Sequence, residues 1–122
     1  MAAPLRPLHP GTLLSTVVVP ALQAAGVSKA RFAELLGMTR QNFDNILNAR
    51  QPLSAAAAVR LGRLIGGDHP AGYRYWLRLQ ADFDAAVARE RIGAELLELP
   101  DLSGVLASPA AEQDPPALAA AA

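Results

Sequence analysis

The stretch that decides the fold runs from Lys29 to Asn48 and reads KARFAELLGMTRQNFDNILN. Apolar residues recur at helical spacing on both sides of a glycine, which predicts two short helices joined by a tight turn, a helix-turn-helix. Ala33 is small where the two helices must approach closely, and Gly37 suits a left-handed backbone in the turn. The side chains predicted to point inward are Phe32, Leu36, Met38, Phe43 and Ile46.

The outer face of the second helix is polar and rich in amides. The major groove of B-DNA admits one α-helix, and its base edges present distinguishable donors and acceptors. An arginine matches guanine, while the amides of asparagine and glutamine match adenine. The residues predicted to read bases are therefore Thr39, Arg40, Gln41, Asn42 and Asn45.

Four further residues are predicted to contact DNA phosphates. Two of them begin the first helix of the motif, where free backbone amides and a cation favour phosphate, and two lie at or just after the end of the second helix, beside the flanking DNA backbone. The residues predicted to contact phosphates are Ser28, Lys29, Asn48 and Arg50.

Three charged residues leave alternatives open. Asp44 opposes DNA binding, because phosphate repels a carboxylate, unless it pairs with Arg40 or accepts from cytosine. Arg60 and Arg63 fit either further DNA contacts or ordinary surface salt bridges.

Charge is distributed unevenly along the 122 residues, although the total is zero. Residues 28–65 carry six cations against two anions, and residues 66–122 carry four cations against nine anions. This asymmetry suggests either two kinds of partner or one polyanionic partner together with a shielded tail. The absence of cysteine excludes a disulfide framework and fits a cytoplasmic protein, and the apolar run 17–22 is too short to span a membrane.

The chain divides into three parts by composition. Proline-rich residues 1–9 are expected to form a flexible N-terminal arm, residues 10–92 a helix-turn-helix domain, and residues 93–122 an acidic, Ala/Pro-rich, largely disordered tail. No stretch has the pattern of a strand, so we predict an all-α, compact five-helix domain. Its helices are expected from Pro10 towards Gly26, with a kink or split at Pro20, and over residues 29–36, 40–48, 55–65 and 71–91.

Aromatic residues recur along one side of the last helix. Tyr73, Trp76 and Phe83 are interpreted chiefly as core, with a dimer or partner surface as the alternative. His9 and His69 lack the close spacing of a metal site, and a histidine beside proline is more often a local hydrogen-bonding residue. No catalytic constellation or phosphate loop is present, so we expect neither an enzyme nor a cofactor.

Four motifs in order carry a family resemblance over residues 5–91. They are His9-Pro10-Gly11, then residues 37–41 with 46–48 and Arg50, then residues 58–61, and finally residues 76–81 with Phe83-Asp84. Their order and spacing resemble the Cro/repressor-like (XRE) helix-turn-helix family and, within it, the HigA-type antitoxins. One departure is Ala49, where the family has glycine; if this position is left-handed, alanine costs about 1 kcal/mol.

The resemblance implies a homodimer that represses its own operon by binding a palindromic operator in double-stranded DNA. It also implies direct binding and neutralisation of a HigB-like toxin that cleaves mRNA. The alternatives are a free-standing XRE-type repressor without a toxin and, in a different class, a helical protein-interaction adaptor that does not bind DNA.

Overall fold

The computed structural model describes residues 7–67 and 72–106, and every regular element within these ranges is helical. The all-α prediction is therefore confirmed for these residues. The chain falls into two compact units, Met1–Arg91 and Ile92–Ala122. The elements are α1 (Pro10–Leu13), a π-helical turn (Leu14–Val18), α2 (Val19–Ala24), α3 (Lys29–Leu35), α4 (Arg40–Leu47), α5 (Ala55–Ile65), α6 (Gly72–Glu98) and α7 (Ser103–Leu106).

The first helix passes Pro20 without splitting. Proline has no N–H to donate, and its ring clashes with the carbonyl four residues earlier in a regular α-helix. The π-helical turn lies directly before it, and the Val19 N–H donates to the Leu14 carbonyl five residues back. The predicted interruption therefore takes the form of one widened turn, and the backbone remains helical from Pro10 to Ala24.

The core of the first unit is centred on α3 and α4. Phe43 is 0% exposed and Phe32 is 2% exposed. Their rings meet edge to face with centroids 5.7 Å apart, an arrangement that contributes about 0.5–1.5 kcal/mol beyond the buried area. Of the five side chains predicted to point inward, four are buried and Met38 is half-buried. Other buried apolar residues are Leu14, Val19, Ala33, Leu53, Ala57, Ala58, Leu61 and Trp76.

Hydroxyl side chains begin three of the helices. Ser28, Thr39 and Ser54 each accept from the backbone N–H three residues ahead, at 3.1 Å. Such caps satisfy an amide that has no partner within the helix and contribute about 1 kcal/mol each. They fix where α3, α4 and α5 start.

His9 begins α1 in the same way. Its Nδ1 accepts from the Gly11 N–H at 2.9 Å, and the residue is 4% exposed. The interpretation of this histidine as a local hydrogen-bonding residue is confirmed. The expectation that it belongs to a flexible arm is wrong, because the ring is buried; residues 1–6 of that arm and His69 lie outside the described residues.

The turn after α4 contains Ala49 with φ of +58°, in the left-handed region. The Arg50 N–H donates to the Asn45 carbonyl at 2.8 Å across this turn. Position 49 is therefore left-handed, which was the condition for a cost of alanine there, and the backbone is strained for a residue with a Cβ.

Replacing this alanine is expected to stabilise the fold. A left-handed alanine costs roughly 1–2 kcal/mol. Because glycine adds about 0.4–1 kcal/mol of unfolded-chain entropy, Ala49→Gly should raise the free energy of unfolding by about 0.5–1 kcal/mol. Urea unfolding measures the change. Ala25→Gly is the matched control. Because Ala25 has φ of −89°, this variant should be less stable than the parent. Changes of the same sign in both variants would contradict the prediction.

The second unit is helical over part of the predicted tail. Ile92 has non-helical φ and ψ of −110° and 16°, after which α6 continues to Glu98 and α7 follows. Disorder was therefore the wrong prediction for residues 93–98 and 103–106. The predicted count of five helices is not confirmed, and α7 is one of the helices beyond that count in the described residues. Residues 107–122 lie outside the described residues. Among those described, no single helix has the length and apolar character to cross a bilayer, although the bent pair Pro10–Ala24 and Lys29–Leu35 passes by length and composition alone.

Candidate nucleic-acid interface

A left-handed glycine sets the direction of α4. Gly37 has φ of +73°, its N–H donates to the Glu34 carbonyl at 2.9 Å, and the Met38 N–H donates to the Ala33 carbonyl at 3.1 Å. Ala33 is 1% exposed, which confirms the close approach predicted for a small residue. The turn therefore directs the chain from α3 into α4 as the sequence predicted.

Arg60 supports this turn from α5. Its Nη1 donates to the Leu36 carbonyl at 3.2 Å, and a Cβ at Gly37 would lie 2.7 Å from the same nitrogen. The guanidinium thus satisfies a carbonyl at the C-terminus of α3, where a cation is also favoured by the helix dipole. This structural role was not among the alternatives that the sequence suggested.

The two faces of α4 differ as predicted. Phe43 and Ile46 are 0% and 1% exposed, whereas Arg40, Gln41 and Asn42 are exposed and Asn45 is half-buried. The buried face anchors the helix, so the polar face lies open to solvent at its N-terminal end. Thr39, the cap of α4, is exposed beside these residues.

Two amides on this face are already paired. Gln41 Nε2 donates to Asn45 Oδ1 at 3.2 Å. The bond leaves the Gln41 oxygen as an acceptor and the Asn45 amino group as a donor, which together match the N6 and N7 pattern of adenine. Holding both side chains in one arrangement lowers the rotamer entropy that DNA binding would otherwise remove.

The phosphate-contact candidates lie at helix ends. The Ser28 hydroxyl caps α3, and it keeps its own O–H to donate. Asn48 Nδ2 donates to the Asp44 carbonyl at 2.9 Å, and Arg50 is exposed in the loop that follows α4.

Asp44 pairs with Lys29, rather than with Arg40. Lys29 Nζ lies 3.0 Å from Asp44 Oδ1, with side chains 31% and 34% exposed. A pair this accessible contributes about 0–1 kcal/mol to stability. Its electrostatic effect is more important, because the ammonium neutralises the one carboxylate on α4 and links α3 to α4 beside the reading face.

The aromatic residues of α6 have different environments. Trp76 is 5% exposed and belongs to the core, which confirms the interpretation that the sequence favoured over a partner surface. Tyr73 and Phe83 are half-buried, and the Phe83 ring meets His9 edge to face at 4.9 Å. Tyr75, which the sequence analysis did not single out, is 54% exposed.

Gln80 is a buried polar residue that sequence reasoning missed. It is 8% exposed, its Oε1 accepts from the Leu53 N–H at 2.7 Å, and its Nε2 donates to Asp84 Oδ1 at 2.8 Å. The signal was present, since Gln80 follows Trp76 by four residues and so shares its buried helical face.

The environment of His9 disfavours its protonation. Burial lowers the pKa of the imidazole below its ordinary value of 6.5, and the Asp84 carboxylate and the backbone of Gln51 offset this in part. Protonation at Nδ1 would also remove the acceptor for the Gly11 N–H. A histidine pKa that is lowered on folding contributes stability above the unfolded-state pKa, and that stability is lost as the pH falls through the folded-state pKa.

The fold should accordingly be less stable in mild acid. We expect the urea concentration at the unfolding midpoint to decrease as the pH is lowered from about 7.5 to about 5.5, a range above that in which most carboxylates titrate. His9→Asn supplies the comparison, because asparagine caps helices and does not titrate. Its midpoint should vary less over the same range; an equal pH dependence in both proteins would contradict the role of His9.

A capped, solvent-facing α4 held across a left-handed turn from α3 defines a helix-turn-helix protein. No family model matches the chain. Virulence-associated protein A of Dichelobacter nodosus is 34% identical over 83 residues, which cover 68% of this chain and 76% of that protein. The solved antitoxin GraA matches with a TM-score of 0.63 and 31% identity, covering 80% of this chain and 98% of that chain.

A further solved structure is that of the Pseudomonas aeruginosa antitoxin HigA with the higBA promoter. It matches with a TM-score of 0.63 and 26% identity, covering 80% of this chain and 98% of that chain. The chain belongs to the HigA-type antitoxin family of helix-turn-helix proteins.

Proposed function

We propose that this chain is the antitoxin of a HigB/HigA-like toxin–antitoxin pair. It binds DNA as an autorepressor and neutralises an mRNA-cleaving toxin by direct contact. The observation that carries the DNA-binding part is the exposed amide and arginine face of α4 over buried Phe43 and Ile46. Family membership supports the toxin-binding part. The protein acts by binding, in the cytoplasm, with no catalytic step and no cofactor.

In this proposal a homodimer places residues 39–48 of each protomer in the major groove of one operator half-site. The two half-sites of the palindrome are about one helical turn apart. Thr39, Arg40, Gln41, Asn42 and Asn45 read bases, whereas Ser28, Lys29, Asn48 and Arg50 hold phosphates. The phosphate contacts supply much of the affinity and make it depend steeply on salt.

Binding to the gene's own promoter tests the DNA-binding part. Fluorescence anisotropy would compare that duplex with one of shuffled sequence at the same salt concentration. We expect the promoter to bind at least about a thousand-fold more tightly. Equal affinities would overturn sequence-specific recognition, and no binding to either duplex would support the adaptor function instead.

Co-expression with the neighbouring gene tests the toxin-binding part. Expression of the neighbouring gene alone should arrest growth, and co-expression of this chain should restore growth. The two proteins should also co-purify. Gln41→Ala supplies the control, because a change on the DNA-binding face should leave the restoration of growth intact. A neighbouring gene that is harmless when expressed alone would favour the free-standing repressor.

A further inference from the structure

We infer that Gln80 is a positioning residue for DNA binding, which holds the loop carrying Arg50 in the arrangement that meets a phosphate. We call residues 49–53 the exit loop, since they join the end of α4 to the start of α5. The inference rests on the proposed DNA-binding function. It assigns a role to a residue on α6, outside the helix-turn-helix itself.

The exit loop is held at both ends. At its start, Ala49 is left-handed and the Arg50 N–H donates to the Asn45 carbonyl at 2.8 Å. At its end, the Leu53 N–H donates to Gln80 Oε1 at 2.7 Å. The Arg50 side chain remains exposed between these points.

The chemistry at Gln80 requires an amide. The Leu53 N–H donates to Gln80 and Asp84 Oδ1 accepts from it, so the residue between them must offer one acceptor and one donor. Glutamine does this in a single orientation. A glutamate would place two carboxylates side by side, and an apolar residue would leave the buried Leu53 N–H without a partner.

The geometry links this bond to the loop rather than to α6 alone. Gln80 and Leu53 are 27 residues apart in sequence, and the bond is buried. A loop already fixed in the free protein loses less backbone entropy when Arg50 meets a phosphate. Releasing Leu53 should therefore weaken binding to the phosphate while the base-reading face of α4 stays intact.

The salt dependence of promoter affinity tests the inference. The slope of log affinity against log salt falls by about 0.9 for each phosphate that the protein no longer neutralises. We expect Gln80→Met to lower the slope by about 0.9 and Arg50→Ala to lower it by the same amount. In the double variant the slope and affinity should match those of the single variants, because both changes release the same phosphate. Additive decreases would overturn the inference.

Two further variants separate positioning from stability. Gln80→Glu combined with Asp84→Asn keeps the Leu53 N–H as donor to residue 80 and reverses only the bond between residues 80 and 84, so its slope should return to that of the parent. Val19→Ala reduces the core on α2 and should lower the melting temperature without changing the slope. Should Gln80→Met fail to fold, Gln80→Asn keeps the amide one carbon too short and should show the same reduced slope.

The outcomes distinguish this inference from the proposed function. If the parent does not bind its promoter specifically, the proposed function fails. If the parent binds and Arg50→Ala lowers the slope while Gln80→Met and Gln80→Asn leave it unchanged, only the role of Gln80 is overturned.

Discussion

Gly11→Ala should destabilise the protein by about 4 kcal/mol or more, a loss large enough to unfold many small domains. A Cβ on this residue would overlap the Ile46 carbonyl oxygen and lie 2.6 Å from the Ile46 carbonyl carbon and 3.0 Å from His9 Nδ1. The obstruction is backbone, which a rotamer change cannot remove. Alanine favours helices over glycine by at most about 1 kcal/mol, so the clash determines the sign.

Urea unfolding followed by circular dichroism measures this loss. Gly93→Ala is the matched control, because Gly93 lies in α6 and its added Cβ would have no described residue within 4 Å. That variant should be unchanged or more stable by up to about 1 kcal/mol. Equal midpoints for Gly11→Ala and the parent would show that α1 does not pack against α4 as closely as the structure has it.

The same contact explains one family motif in physical terms. In His9-Pro10-Gly11 the imidazole caps α1, and proline is tolerated in the first turn because its missing N–H needs no partner there. The glycine then lets α1 pack directly on the backbone of α4. The sequence identified the motif, but the partner of Gly11 is 35 positions away along the chain, and periodicity gives no such pairing.

Local signals predicted the helix-turn-helix well because its determinants are local. Ser28 and Thr39 cap helices through an amide three residues away, and Gly37 determines its own turn. The cost of alanine at position 49 could be anticipated for the same reason, since it depends only on the sign of the φ angle of that residue.

Tertiary contacts were harder to predict. Arg60 meets the Leu36 carbonyl 24 residues away, and Lys29 takes the carboxylate of Asp44 that i to i+4 spacing had offered to Arg40. Both outcomes depend on how close the turn brings α3 to its neighbours. For residues 93–98, composition suggested disorder, but this run is free of proline and is helical after the break at Ile92.

Changing the reading face should produce the second large effect, in sequence discrimination. In the proposed arrangement Arg40 and Gln41 each contact a base edge, so Arg40→Ala or Gln41→Ala should weaken promoter binding by roughly 1–3 kcal/mol. Binding to a shuffled duplex should change far less, because that duplex offers no matching base. Gln41→Ala also releases Asn45 from its 3.2 Å hydrogen bond, so its effect should include a loss of the contact that Asn45 makes to the same adenine. Titrating both duplexes with each variant measures the ratio of promoter affinity to shuffled-duplex affinity.

Lys29→Ala should behave differently, because Lys29 contacts no base in the proposed arrangement. The variant should weaken binding to both duplexes by the same factor and lower the slope of log affinity against log salt. It also leaves the Asp44 carboxylate unshielded near phosphate. Asp44→Ala in that background should therefore recover part of the affinity on both duplexes. Arg78→Ala is the charge-matched control, since it removes one cation paired with Asp82 on α6. If Arg40→Ala and Gln41→Ala leave the promoter-to-shuffled ratio unchanged while Lys29→Ala lowers it, then the bases are read from α3 and not from α4.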